Sequence, residues 1–129
     1  ISINNISSSY NFSNTSINYI KKKIKLFRLN NIKLIKGDFK YTMKKPLNLP
    51  EKISAGLIDC DLYDGYKESL ETFWPKIIKN GKLFLDEYYS LKFPGPRIYL
   101  KIFLHKNKNA KLIKEGVTGD FERWSLKKI

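Results

Sequence analysis

The chain has 129 residues, 14% of them aromatic, and a formal net charge of +13. That length suits one domain or part of one, and the apolar content suffices for a core, which excludes wholesale disorder. No apolar run approaches the roughly 20 residues needed to span a bilayer and no signal-peptide pattern opens the chain, so neither membrane insertion nor secretion is expected.

The charge invites a nucleic-acid reading. Arg28, Arg97 and Arg123 are, however, the only arginines among 25 basic residues, and the lysines are scattered apart from Lys21-Lys22-Lys23. Arginine is the residue that reads phosphates and bases bidentately. A generic basic surface is therefore expected, with no nucleic-acid partner. Cys60 is the only cysteine, which rules out an internal disulfide and makes a reducing cytoplasm the natural compartment. Ile1 stands where a methionine would open a complete product, so a processed chain or a piece of a longer polypeptide is expected.

Residues 1 to about 13 are polar and aperiodic and read as a loop. Ser13, Asn14 or Thr15 can cap a first helix, because short polar side chains accept the free amides of its first turn. In that helix Ile17, Ile20, Ile24 and Phe27 make one apolar stripe, and Asn30-Asn31 ends it. Ile32 to Lys36 reads as a short strand closed by Gly37-Asp38, followed by a loop bearing Pro46 and Pro50. Ala55 to Asp59 is an apolar run ending in acid, the pattern of a buried parallel strand whose carboxyl end opens onto a site.

A second helix is expected from about Tyr66 to Lys79, burying Leu70, Phe73, Trp74, Ile77 and Ile78, and stopped by Asn80-Gly81. Lys82 to Leu85 is another strand ending in acids, Asp86 and Glu87. After a loop at Pro94 to Pro96 comes a third helix with Ile98, Tyr99, Ile102 and Phe103 inward. The tail reads as a hairpin, Ala110 to Glu115 and Phe121 to Lys127, with Gly116 and Gly119 in its turn. The whole is one α/β domain, with a loop over residues 1–13 and the α/β region over 14–129. Ligands in such sheets bind beyond the carboxyl ends of the strands, where these acids fall.

In an extended strand side chains alternate, so Asp59 and Asp61 are expected on one face and Ile58 and Cys60 on the other. Converging carboxylates repel unless a cation, hydrogen bonds or water offset the repulsion. With Asp86-Glu87 on the next strand, about 4.8 Å away, the two acidic ends can surround one ion. Hard oxygens suit magnesium, and one histidine with one cysteine nearly excludes zinc. The plain alternative is that the acids cap the following helices or face water.

Ile58-Asp59-Cys60-Asp61-Leu62-Tyr63, Trp74-Pro75, Asn80-Gly81, Asp86-Glu87-Tyr88 and Phe93-Pro94-Gly95-Pro96-Arg97 together resemble the macrocin O-methyltransferase family, with matching spacing over about residues 55–100. Ile32 to Thr42 is similar to the family's preceding Lys-Gly-x-Phe-x-x-Thr segment. The resemblance implies a Rossmann-like class I methyltransferase sheet, S-adenosylmethionine as cofactor, and a sugar or glycosylated metabolite as hydroxyl acceptor. It implies magnesium held by Asp59, Asp86 and Glu87, although many members carry aspartate at the last position. Gly37, Asp38 and Phe39 would lie at the cofactor, and Tyr63 and Tyr88 would border the acceptor or merely pack. Asp61, sharing a face with Asp59, is the candidate base. Gly65-Tyr66 stand where members often carry Ser-Thr, which leaves acceptor specificity open.

The glycine-rich loop and ribose-binding acid of such enzymes do not occur in this chain. The expected sheet is therefore incomplete, its two absent strands belonging between the Ile32 and Ala55 strands, and the chain by itself is expected to bind S-adenosylmethionine poorly. Two other readings compete. One is a catalytically silent α/β module with a basic surface for an anionic partner. The other is a nucleotide-using enzyme, which would need a phosphate-cradling glycine loop.

Overall fold

The computed structural model describes residues 16–45, 49–119 and 121–129. The expected amino-terminal loop, the candidate caps Ser13, Asn14 and Thr15, and Pro46 lie outside the described residues. The chain divides into two compact units, Ile1–Lys36 and Gly37–Ile129.

In the first unit, helix α1 spans Ile17–Leu26 and is capped by Ser16, whose side chain accepts the Tyr19 N–H at 3.1 Å. Lys23 and Lys25 occupy its last turn, where cations suit the helix dipole. No residue of α1 is buried. The expected Ile32–Lys36 strand does not form. Strand preference is borne by neighbours rather than by the backbone alone, and all four strands of the sheet lie in the second unit.

The second unit opens with a short helix that the sequence reading missed, α2 (Phe39–Thr42), then β1 (Ile53–Ile58) and α3 (Tyr63–Phe73). A 3-10 turn over Trp74–Lys76 leads to β2 (Ile77–Leu85). The second helix was expected to run to Lys79 and instead stops at Phe73. Pro75 offers no N–H to continue the ladder, and Ile77 turns into the sheet beside Ile53. Its burial, read as helical, is that of a strand residue, and Ile78 is exposed.

Helix α4 (Gly95–Lys106) follows, with Pro96 in its first turn, then β3 (Ala110–Thr118) and β4 (Phe121–Lys128). The inner face of α4 is Pro96, Tyr99, Leu100 and Phe103, while Ile98 and Ile102, expected inward, are exposed. Both sets fit a helical period, and only packing against α3 decides between them. Gly116 lies within β3 at a register shift, and Gly119 alone of the two glycines takes the turn conformation, at φ 59°.

The sheet order is β1-β2-β4-β3, with β1 and β2 parallel and the other pairs antiparallel. α3 and α4 connect successive strands and pack together. Their side of the sheet carries the core: Tyr66, Leu70, Trp74, Leu100 and Phe103 over Ile58, Leu83 and Leu126. Burying each such side chain stabilises by roughly 1.5–3 kcal/mol. Leu57 and Phe84, paired in register, are 64% and 40% exposed. β1 stands at the sheet edge, as expected of an incomplete sheet.

Candidate functional site

The register of the parallel pair sets Ile58 beside Leu85, so the next residues, Asp59 and Asp86, leave the sheet side by side. The Asp86 N–H donates to the Ile58 carbonyl at 3.1 Å and closes the two ends together. Asp86 begins a 3-10 turn (Glu87–Tyr89) that brings Glu87 into the same cluster. Carboxylate oxygens of Asp59, Asp86 and Glu87 all lie within 4.8 Å of one another.

Glu87 is 8% exposed, and its Oε2 is buried without a hydrogen-bond partner. Burial first, then the hydrogen bond with Asp86 and the charges of Asp86, Asp61 and Asp59, push its carboxyl up to about 8. Asp59 is raised as well, by burial and then by Asp86 and Asp61. This is electrostatically costly unless something positive arrives. Arg123 of β4 pairs with the cluster, its Nη1 standing 3.6 Å from Asp86 Oδ1. It is half exposed and contributes little as an ion pair. A buried, unpartnered carboxylate oxygen among three acids fits a divalent cation.

The backbone at Asp61 is not the extended strand from which alternation was read. β1 ends at Ile58, and Asp61 sits in a tight turn at φ 45°, with the Leu62 N–H donating to the Cys60 carbonyl. It lies outside the three-carboxylate group yet near enough to raise Asp59 and Glu87. The chain leaves the sheet before Asp59. The half-buried Cys60 thiol is pushed up to about 11, chiefly by burial, which leaves it inert as a nucleophile.

A cleft of about 670 Å³ is lined by Gly37, Asp38 and Phe39 together with Cys60, Leu62 and Gly65. The residues expected at a cofactor thus share one cavity with Cys60 and Leu62 of the loop after β1, while Asp59, Asp61, Asp86 and Glu87 do not line it. Asp38 caps α2, accepting the Lys40 N–H at 2.8 Å, and Gly37 holds φ 141°, open to glycine. Gly65 is required for space, since a Cβ there would meet Cys60 Sγ at 2.9 Å. Tyr63 and Tyr88 are engaged in ring pairs: Tyr63 edge-on to Tyr99 at 5.3 Å, Tyr88 to Trp124 at 5.0 Å. Arg97 Nε donates to the Tyr88 carbonyl at 3.1 Å and its guanidinium lies over the Tyr88 ring.

No family model and no curated protein sequence matches the chain. Solved structures do. The O-methyltransferase NovP superimposes with a TM-score of 0.72 at 19% identity, over 88% of this chain and 45% of that one. Apo CalS11, a TDP-rhamnose 3'-O-methyltransferase of calicheamicin biosynthesis, gives 0.69 at 22% identity, over 90% and 54%. The fold is a partial Rossmann-like sheet, shared with these structures. The chain spans about half the length of these structures. Among the described residues, no helix is long and apolar enough to cross a membrane.

Sequence reasoning missed three residues at this site. Arg123 and Trp124 reach it only through the antiparallel pairing of β4 with β2, a long-range contact with no local signal. Tyr66 is the third. Its side chain is wholly buried and its hydroxyl bonds to both acid-bearing strand ends. The placement of a tyrosine in the first turn after the acidic loop was the available signal.

Proposed function

We propose that this chain forms the metal- and acceptor-side part of an S-adenosylmethionine-dependent O-methyltransferase of the macrocin type, acting on a hydroxyl of a sugar or glycosylated metabolite. One observation carries the reading: three carboxylates from two adjoining strand ends converge within 4.8 Å, with a buried glutamate oxygen unpartnered, beside a large cleft. Asp59, Asp86 and Glu87 would hold magnesium, which when bound lowers the pKa of an acceptor hydroxyl. S-adenosylmethionine would supply the methyl group to that oxygen.

The remaining roles fall to the chain's own residues. Asp61, half-buried and outside the three-carboxylate group, would accept the hydroxyl proton on a carboxylate oxygen as the acceptor oxygen gains the methyl. Phe39 offers a partly exposed ring to the flat base of the cofactor, with Gly37 and Asp38 shaping that end of the cleft. Tyr63 and Tyr88, each fixed by an aromatic partner, would bound the acceptor side. The rhamnose named for one structural neighbour supports a sugar hydroxyl as acceptor.

The test is a methyl-transfer assay on a longer polypeptide that contains this chain, with S-adenosylmethionine and a panel of glycosides and nucleotide sugars. Transfer is expected to require magnesium, to cease in chelator, and to fall roughly 100-fold in Asp86→Ala. Transfer indifferent to both chelator and that substitution contradicts the reading.

A further inference from the structure

A tyrosine buried in an apolar core must find partners for its hydroxyl, because an unpaired buried polar group costs free energy. Tyr66 is 0% exposed and packs within the core that contains Leu70 and Leu100. It satisfies its hydroxyl on the two strand ends that bear the acids. The hydroxyl donates to the Ile58 carbonyl over a long 3.5 Å and accepts the Glu87 N–H at 3.2 Å. Ile58 directly precedes Asp59, and its carbonyl also accepts the Asp86 N–H. One phenol oxygen therefore ties together the backbones from which all three clustered carboxylates emerge.

The Glu87 side chain supplies the second half of the argument. Its backbone N–H is held by Tyr66, while its Oε2, buried and without a hydrogen-bond partner, is left for something else to bind. Like charges at this distance would drive the two strand ends apart, and a bond across those ends opposes that motion. We propose that Tyr66 is a positioning residue of the acidic cluster, its hydroxyl setting the separation of the Asp59 and Glu87 carboxylates for a divalent cation. The proposal rests on the reading of the cluster as a cation site.

Manganese titration followed by electron paramagnetic resonance tests it, comparing the unmutated chain with Tyr66→Phe, which keeps the ring and removes the hydroxyl. The variant is expected to stay folded by circular dichroism and to bind manganese roughly 10- to 100-fold more weakly, the usual cost of losing an outer partner of a metal site. Equal affinity overturns the positioning role and leaves the cation site standing. No binding by the unmutated chain overturns the site and the proposal with it. Should Tyr66→Phe not fold, the Glu87 amide of the 15N-labelled unmutated chain carries the test. Magnesium is expected to shift that resonance, because its N–H rests on the phenol oxygen. An unmoved Glu87 amide beside shifted Asp59 and Asp86 amides overturns the proposal.

Discussion

Glutamine in place of Glu87 keeps the side-chain length and removes the ionisable proton. In the cation-free chain the Glu87 carboxyl is pushed up to about 8 from 4.5, first by burial and then by Asp86, Asp61 and Asp59. The folded state therefore keeps a proton that the unfolded chain gives up. The resulting stability is fully present below about pH 4.5 and is lost progressively as pH rises toward about 8. At neutral pH the loss extends over some two to three pH units, or about 3 kcal/mol on the order of magnitude.

Glu87→Gln has no such proton to lose. Measured in chelator, it is expected to match the unmutated chain near pH 5 and to exceed it by up to about 3 kcal/mol near pH 7. For a chain of this size that is roughly 10 °C in melting temperature by circular dichroism. Magnesium should raise the melting temperature of the unmutated chain near pH 7 and do much less for Glu87→Gln, since a cation displaces the proton from the carboxylate. Parallel pH profiles for the two proteins, or a glutamine variant less stable at neutral pH, would refute the assignment of Glu87 as an acid whose ionised form its surroundings disfavour.

Gly95→Ala should destabilise by about 1–3 kcal/mol in urea unfolding, because its Cβ would stand 2.7 Å from the Tyr63 backbone nitrogen; an unchanged midpoint would mean the α4 start does not rest on α3. Leu126→Ala removes a fully buried core side chain and should cost about 2–5 kcal/mol by the same measurement. Arg123→Ala should change stability by less than about 1 kcal/mol, as its pair with Asp86 is exposed. Calorimetry on that variant should show magnesium bound somewhat more tightly, since the competing guanidinium is gone, and weaker binding would make Arg123 part of the site.

The fold class and the meeting of Asp59, Asp86 and Glu87 were legible because parallel pairing and strand-end acids are local patterns that add up to one geometry. Where the reading failed, two structures competed for one pattern. Ile77 and Ile78 fit a helical stripe until Pro75 ended the helix, and α4 offered two apolar faces of equal period. The Ile32–Lys36 run had strand composition but no ladder to join. The strand was read too far, since Asp61 sits in a turn beyond the last strand residue. Arg123, Trp124 and the Tyr66 hydroxyl depend on tertiary packing, which no periodicity reports.

The most direct measurement is anomalous diffraction from crystals of the chain grown with manganese. A single strong peak is expected in contact with carboxylate oxygens of Asp59, Asp86 and Glu87, absent from crystals of Asp86→Ala. Carboxylates turned apart with no peak between them, under conditions where manganese reaches the crystal, would contradict the account.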